Sequence, residues 1–122
     1  MNNSNFSVIL KSLTKVYHVG TSIVYAVNNV NLNILNGQIV GLVGPSGSGK
    51  STLLNLIGAL DTPSEGEVIV NSQNLNIIKQ NDRAKFRNNT VGFVFQNFNL
   101  IPVLTTYENV VLPAQLNPII NE

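Results

Sequence analysis

The chain has 122 residues, 43% hydrophobic and only 11% charged, with a formal net charge of +1 and no cysteine. That length allows one domain or part of one; the near-neutral charge offers no footprint for nucleic acid, and the lack of Cys excludes a disulfide scaffold and a thiolate metal site. No run of 18 apolar residues is present and the N-terminus has no basic n-region, so neither a membrane span nor a secretory leader is expected and a cytoplasmic location is the default.

In chain order, residues 1–6 form a polar lead expected to be disordered. Residues 7–17 alternate loosely, with Val8, Leu10 and Leu13 able to share one face and Lys11, Ser12 and Lys15 facing water, which predicts a strand. Residues 18–22 read as a turn, with His18, the only histidine, as a solvated turn residue. Residues 23–27, followed by Val30, Leu32 and Ile34, give one or two more strands; with no helix between them, these strands should be antiparallel. Asn36-Gly37 turns the chain into 38–43, a short β-branched-rich run expected to be a parallel strand buried on both faces.

The next stretch, Gly44-Pro45-Ser46-Gly47-Ser48-Gly49-Lys50-Ser51-Thr52, fits the phosphate-loop pattern G-x-x-x-x-G-K-[ST] without a mismatch. Glycines permit positive φ and leave no Cβ in the way, so successive backbone N–H groups can surround phosphate oxygens. Lys50 would bring a mobile charge to the β- and γ-phosphates, and the Ser51 hydroxyl would ligate the bridging Mg²⁺. Leu53, Leu54, Leu56, Ile57 and Leu60 recur at helical spacing after it, with Gly58 weakening the last turn, so strand, loop and helix come in the required order.

Residues 61–66 are dense in turn formers and 67–70 return to β, whereas 71–81 are ambiguous. Asp82 is a good N-cap for a short helix through Phe86 and Arg87, with Lys85 and Arg87 on a solvated face. Residues 91–95 read as a second buried strand ending at Gln96. After a loop containing Pro102, Thr105 or Thr106 caps a helix running through Glu108 to about Leu112, and Pro113 and Pro118 break up the remainder of the chain.

The phosphate loop alone admits many nucleotide enzymes. Tyr17 well before it, Thr62-Pro63-Ser64-Glu65-Gly66-Glu67-Val68 after the first helix, and Val91-Gly92-Phe93-Val94-Phe95-Gln96 together resemble the nucleotide-binding subunit of ATP-binding-cassette (ABC) transporters. The stretch from Gly92 to Pro102, with Leu104-Thr105 and Glu108-Asn109-Val110, looks like the subgroup for lipoprotein release and macrolide export. The resemblance implies that Tyr17 stacks on adenine and that Gln96 reaches Mg²⁺ and the attacking water. It further implies that Phe95, Phe98, Leu100 and Ile101 lie where a membrane subunit docks; as apolar residues near a strand they are equally open to being core. Gln38 stands where the family has glutamate, and Ser72 where a turn glycine is common.

The expected fold is therefore an α/β P-loop NTPase of ABC type. Antiparallel strands at 7–36 precede a phosphate-loop core at 37–96 and the start of a helical subdomain at 97–122, ending before the signature loop and Walker B strand. The implied ligands are ATP and Mg²⁺, and the implied partners a transmembrane subunit and a second ATPase subunit, at the inner face of the plasma membrane, without nucleic acid. The alternatives are a non-catalytic nucleotide-binding fragment, because the family's signature loop, acidic strand end and switch histidine are not in the sequence, and a phosphate-loop nucleotide kinase or DNA-repair ATPase. The last pair is disfavoured because no acceptor-binding Arg cluster or basic stripe is present.

Overall fold

The computed structural model describes residues 5–115, in two units divided after Lys79. Most of the polar lead (1–4) and Pro118 lie outside the described residues. The first unit contains β1 (Phe6–Val19), β2 (Ser22–Leu35), α1 (Lys50–Ile57), β3 (Glu65–Val70) and β4 (Gln73–Asn74). Its four strands form one antiparallel sheet in the order β2-β1-β3-β4.

The hydrophobic pattern explains β1's central position. Val8, Ile9 and Leu10 are buried in succession between β2 and β3. Leu10 and Leu13 are three apart, a spacing that would put them on opposite faces of a regular strand. A bulge between them restores the phase: Ser12 adopts φ 47°, its N–H donates to Asn31 Oδ1 at 2.8 Å, and both leucines are buried. Gly66 of β3 passes so close that a Cβ there would overlap the Ser12 carbonyl. Leu53 and Leu56 of α1 complete the core with Ala59, Val68 and Val70.

The strands depart from expectation in three places. β1 begins at Phe6 and runs through His18, which is an exposed strand residue paired with Ile23 instead of part of the turn. Residues 23–34 make one strand, not two. Residues 38–43, expected as a buried parallel strand, form no strand, and Ile39 and Val43 are 99% and 93% exposed. Apolar composition raises strand propensity, but a strand exists only through a partner's hydrogen bonds, and no described segment pairs with this one.

The second unit carries α2 (Gln80–Thr90) and α3 (Thr106–Gln115). Asp82 lies within the first turn of α2 instead of capping it, where its charge still suits the helix dipole. Residues 91–95 also lack a ladder partner among the described residues and form no strand; Phe93 and Phe95 stack on each other with centroids 5.4 Å apart. Thr105 is the residue that caps α3. Glu108 N–H donates to its hydroxyl (3.3 Å) and its own N–H donates to Glu108 Oε2 (2.7 Å), a reciprocal capping box. Pro113 does not end α3, which continues to Gln115; the proline costs only one hydrogen bond, near the helix's end. Phe95, Phe98, Leu100 and Ile101 are all exposed among the described residues.

Candidate functional site

The phosphate loop begins in irregular backbone and ends as the first turn of α1. Gly47 and Gly49 adopt φ 78° and 86°, and Gly49 is the N-cap of the helix. The left-handed conformation reverses the chain there, and an L side chain would be strained in it. Leu53 N–H makes the first helical bond, to Gly49 O at 2.9 Å, so the amides of Lys50, Ser51 and Thr52 precede the helical ladder.

The Lys50 ammonium folds back over the loop. It donates to Gly44 O at 2.8 Å, Pro45 O at 2.6 Å and Ser48 Oγ at 3.3 Å, tying the start of the loop to the helix. Beside it lies an open cleft of about 670 Å³. One wall is Tyr17 of β1 with Val24, Tyr25 and Ala26 of β2, and the floor is Ser46, Gly47, Gly49 and Lys50. Ser51 and Thr52 complete the rim, and Lys50 is the only charged side chain lining it among the described residues. A single cation, helix-end amides and hydroxyls favour an anion; an aromatic wall favours a flat apolar group beside it.

Tyr17 is held by residues to which no motif points. Its hydroxyl donates to Asp61 Oδ2 at 2.8 Å, and Lys15 Nζ lies 5.0 Å from its ring centroid. Asp61 also accepts from Lys15 Nζ (2.7 Å) and from Thr62 N–H (2.7 Å) through Oδ1. Partial burial, followed by the hydrogen bond and negative charge of Asp61, raises the Tyr17 phenol above its ordinary value, against a smaller opposing hydrogen bond from Thr52. Burial would raise the Asp61 carboxyl, but hydrogen bonds from Lys15, Tyr17 and Thr62 outweigh it and leave the group below the usual carboxylate value.

The structure thus brings Tyr17 to the same cleft as Ser46, Gly47, Gly49, Lys50, Ser51 and Thr52, although most of the β-hairpin separates them in the chain. Gly44, Pro45 and Ser48 stand behind it, bound to Lys50. Gln96 belongs to the second unit, where it is exposed at a bend following Phe95. The sequence reading missed the β2 wall and the Asp61–Lys15 support; neither has a signature, because both depend on which strands become neighbours.

A glycine loop opening a helix beneath an aromatic-walled cleft defines a class of nucleotide-type anion sites. The family model described as ABC transporter matches residues 27–122, and the chain belongs to that family. The uncharacterized ABC transporter ATP-binding protein MJ0796 of Methanocaldococcus jannaschii is 55% identical over 104 residues, covering 85% of this chain and 44% of that protein. The methionine import ATP-binding protein MetN of Escherichia coli K12 is 43% identical over 108 residues, covering 88% of this chain and 31% of MetN. A dimeric post-hydrolysis structure of the MJ0796 cassette bound to ADP and Pi superposes with a TM-score of 0.83 at 55% identity over 87% of this chain and 46% of that one. The chain spans less than half the length of these relatives, and its fold is that of the ABC ATPase cassette with its antiparallel β subdomain.

Proposed function

We propose that the chain is the ATP-binding part of an ABC transporter's ATPase subunit, with residues 44–52 on the phosphates and Tyr17 on the adenine. The observation that carries this reading is the shared cleft: the Lys50 loop and the Tyr17 ring line one opening, and among the described residues its one charged lining side chain is at the phosphate end. Lys50 exchanges its carbonyl partners for β- and γ-phosphate oxygens, a charge-assisted contact that suits it better than neutral carbonyls. The Ser51 hydroxyl, exposed on the first turn of α1, is the group that would hold Mg²⁺, and the metal would neutralise charge between the phosphates. Gln96 is assigned to the metal and the attacking water by its motif alone.

Binding and turnover are separable properties of this chain. No carboxylate is among the described residues that line the cleft, which leaves no general base beside its phosphate end. The chain alone is accordingly expected to bind Mg-ATP and hydrolyse it slowly. The whole subunit would pair with a second copy, as its dimeric relative does, and act on a transmembrane partner at the cytoplasmic face of the membrane, the exposed Phe98 region being the contact. Calorimetry with Mg-ATP on the chain and on Lys50→Ala tests the site: a loss of at least about tenfold in affinity is expected, and equal heats from both proteins would refute the assignment.

A further inference from the structure

We infer that Asp61 is a positioning residue for nucleotide recognition, clamping the Tyr17 ring in the orientation that receives the base. The inference rests on the reading of Tyr17 as the base-stacking residue and names what holds it there. Tyr17 is 39% exposed near the turn of the β1–β2 hairpin, where a ring on two rotatable bonds is not fixed by packing. Beside a hydrogen bond with Thr52, two contacts outside the phosphate loop hold it. The hydroxyl is tied at 2.8 Å to a carboxylate 44 residues away, and one face of the ring lies 5.0 Å from an ammonium.

Asp61 is itself immobilised. Oδ1 accepts from Lys15 Nζ and from Thr62 N–H, each at 2.7 Å, and Lys15 also donates to Thr62 O at 2.7 Å. The Lys15 side chain is only 12% exposed and that of Asp61 29%, so this pair is less screened than the Lys11–Glu67 bridge at 56% and 45%. The clamp therefore joins the turn after α1 to β1. Tyr17 lines the cleft and keeps 39% of its surface exposed, and ordering its ring in advance lowers the entropy lost when the base arrives. Asp61 is not among the residues lining the cleft, so its effect passes through Tyr17.

The test compares Mg-ATP with Mg-tripolyphosphate, which has the phosphates and no base, on the full chain. Asp61→Asn and Tyr17→Phe should each lower ATP affinity by about two- to tenfold, the range of one lost hydrogen bond, and leave tripolyphosphate affinity unchanged. Asp61→Asn should also bring the Tyr17 phenol titration, followed by ultraviolet absorbance, down toward its ordinary value. Tyr17→Ala reports on the underlying reading: if it leaves the ATP-to-tripolyphosphate ratio unchanged, base stacking fails and the clamp with it. If Tyr17→Ala lowers the ratio while Asp61→Asn and Tyr17→Phe both leave it intact, stacking stands and the clamp alone is overturned. Should Asp61→Asn not fold, Tyr17→Phe, which keeps the ring and removes only the anchored hydroxyl, decides the matter.

Discussion

Gly49 and Ala26 meet backbone to backbone: a Cβ on Gly49 would overlap the carbonyl oxygen of Ala26, in a conformation with φ 86°. β2 thus presses directly on the turn that opens α1. Gly47, with φ 78°, has nothing within 4 Å of the same hypothetical atom. Gly49→Ala should therefore cost about 2–5 kcal/mol, combining left-handed strain with a clash against main chain, and Gly47→Ala only the strain of about 1–2 kcal/mol. Urea unfolding of the two variants measures the difference; equal midpoints would remove the Ala26 contact as the cause.

Ser72 occupies a position that suits glycine better. Val70 pairs with Gln73, so the β3–β4 hairpin turns on two residues, Asn71 at φ 46° and Ser72 at φ 64°. Two positive φ values define a type I′ turn, in which Asn-Gly is strongly favoured. Ser72→Gly should stabilise the chain by about 0.5–1 kcal/mol, the left-handed strain of serine less the extra entropy of unfolded glycine. A higher urea midpoint at unchanged slope is the expected result, and a lower one would contradict the turn assignment.

The Lys15–Asp61–Tyr17 contacts predict an acid dependence of definite sign. The folded state holds the Asp61 carboxyl below its ordinary value of 3.8, so the unfolded chain binds the proton more readily. The stability from this group is fully present above that ordinary value and is lost as pH falls through it toward the lower folded value. Asp61→Asn should flatten that part of the stability curve. Glu108, held low by hydrogen bonds from the Thr105 side chain and backbone, contributes a slope of the same sign, so the variant retains some acid sensitivity. Unfolding free energies of both proteins between about pH 2.5 and 5 would show it.

In the second unit, Asn109 organises the approach to α3. Its Oδ1 accepts from Ile101 N–H at 2.8 Å, and its Nδ2 donates to the carbonyls of Ile101, Leu104 and Thr105 at 3.2, 3.1 and 3.0 Å. Asn109→Ala leaves these groups to water, since most of the loop is exposed, and should cost about 1–2 kcal/mol of local stability. Thr105→Ala should cost about 1 kcal/mol by removing the N-cap. Hydrogen exchange of the α3 amides reads both; unaltered protection would show that this loop does not depend on them.

Much of the phosphate loop was legible because its requirements are local. Positive φ at Gly47 and Gly49, a cation one residue later and apolar residues at helical spacing are all written within one short stretch, and the structure starts α1 there, although Gly58 caps the helix and leaves Leu60 beyond it. The Thr105 cap was legible for the same reason. The runs at 38–43 and 91–95 misled because composition records a preference for strand, whereas pairing belongs to two segments at once.

Local rules of backbone geometry and periodicity let the sequence determine the glycine loop, the helix it opens and the antiparallel hairpin before it. Tertiary structure alone decided that β1 bulges at Ser12 to bury Leu13, that Ala26 forbids a side chain at Gly49, and that Tyr17 is gripped by Asp61. Each of these is a contact between residues distant in sequence, fixed by the path of the folded chain and by no property of either residue alone.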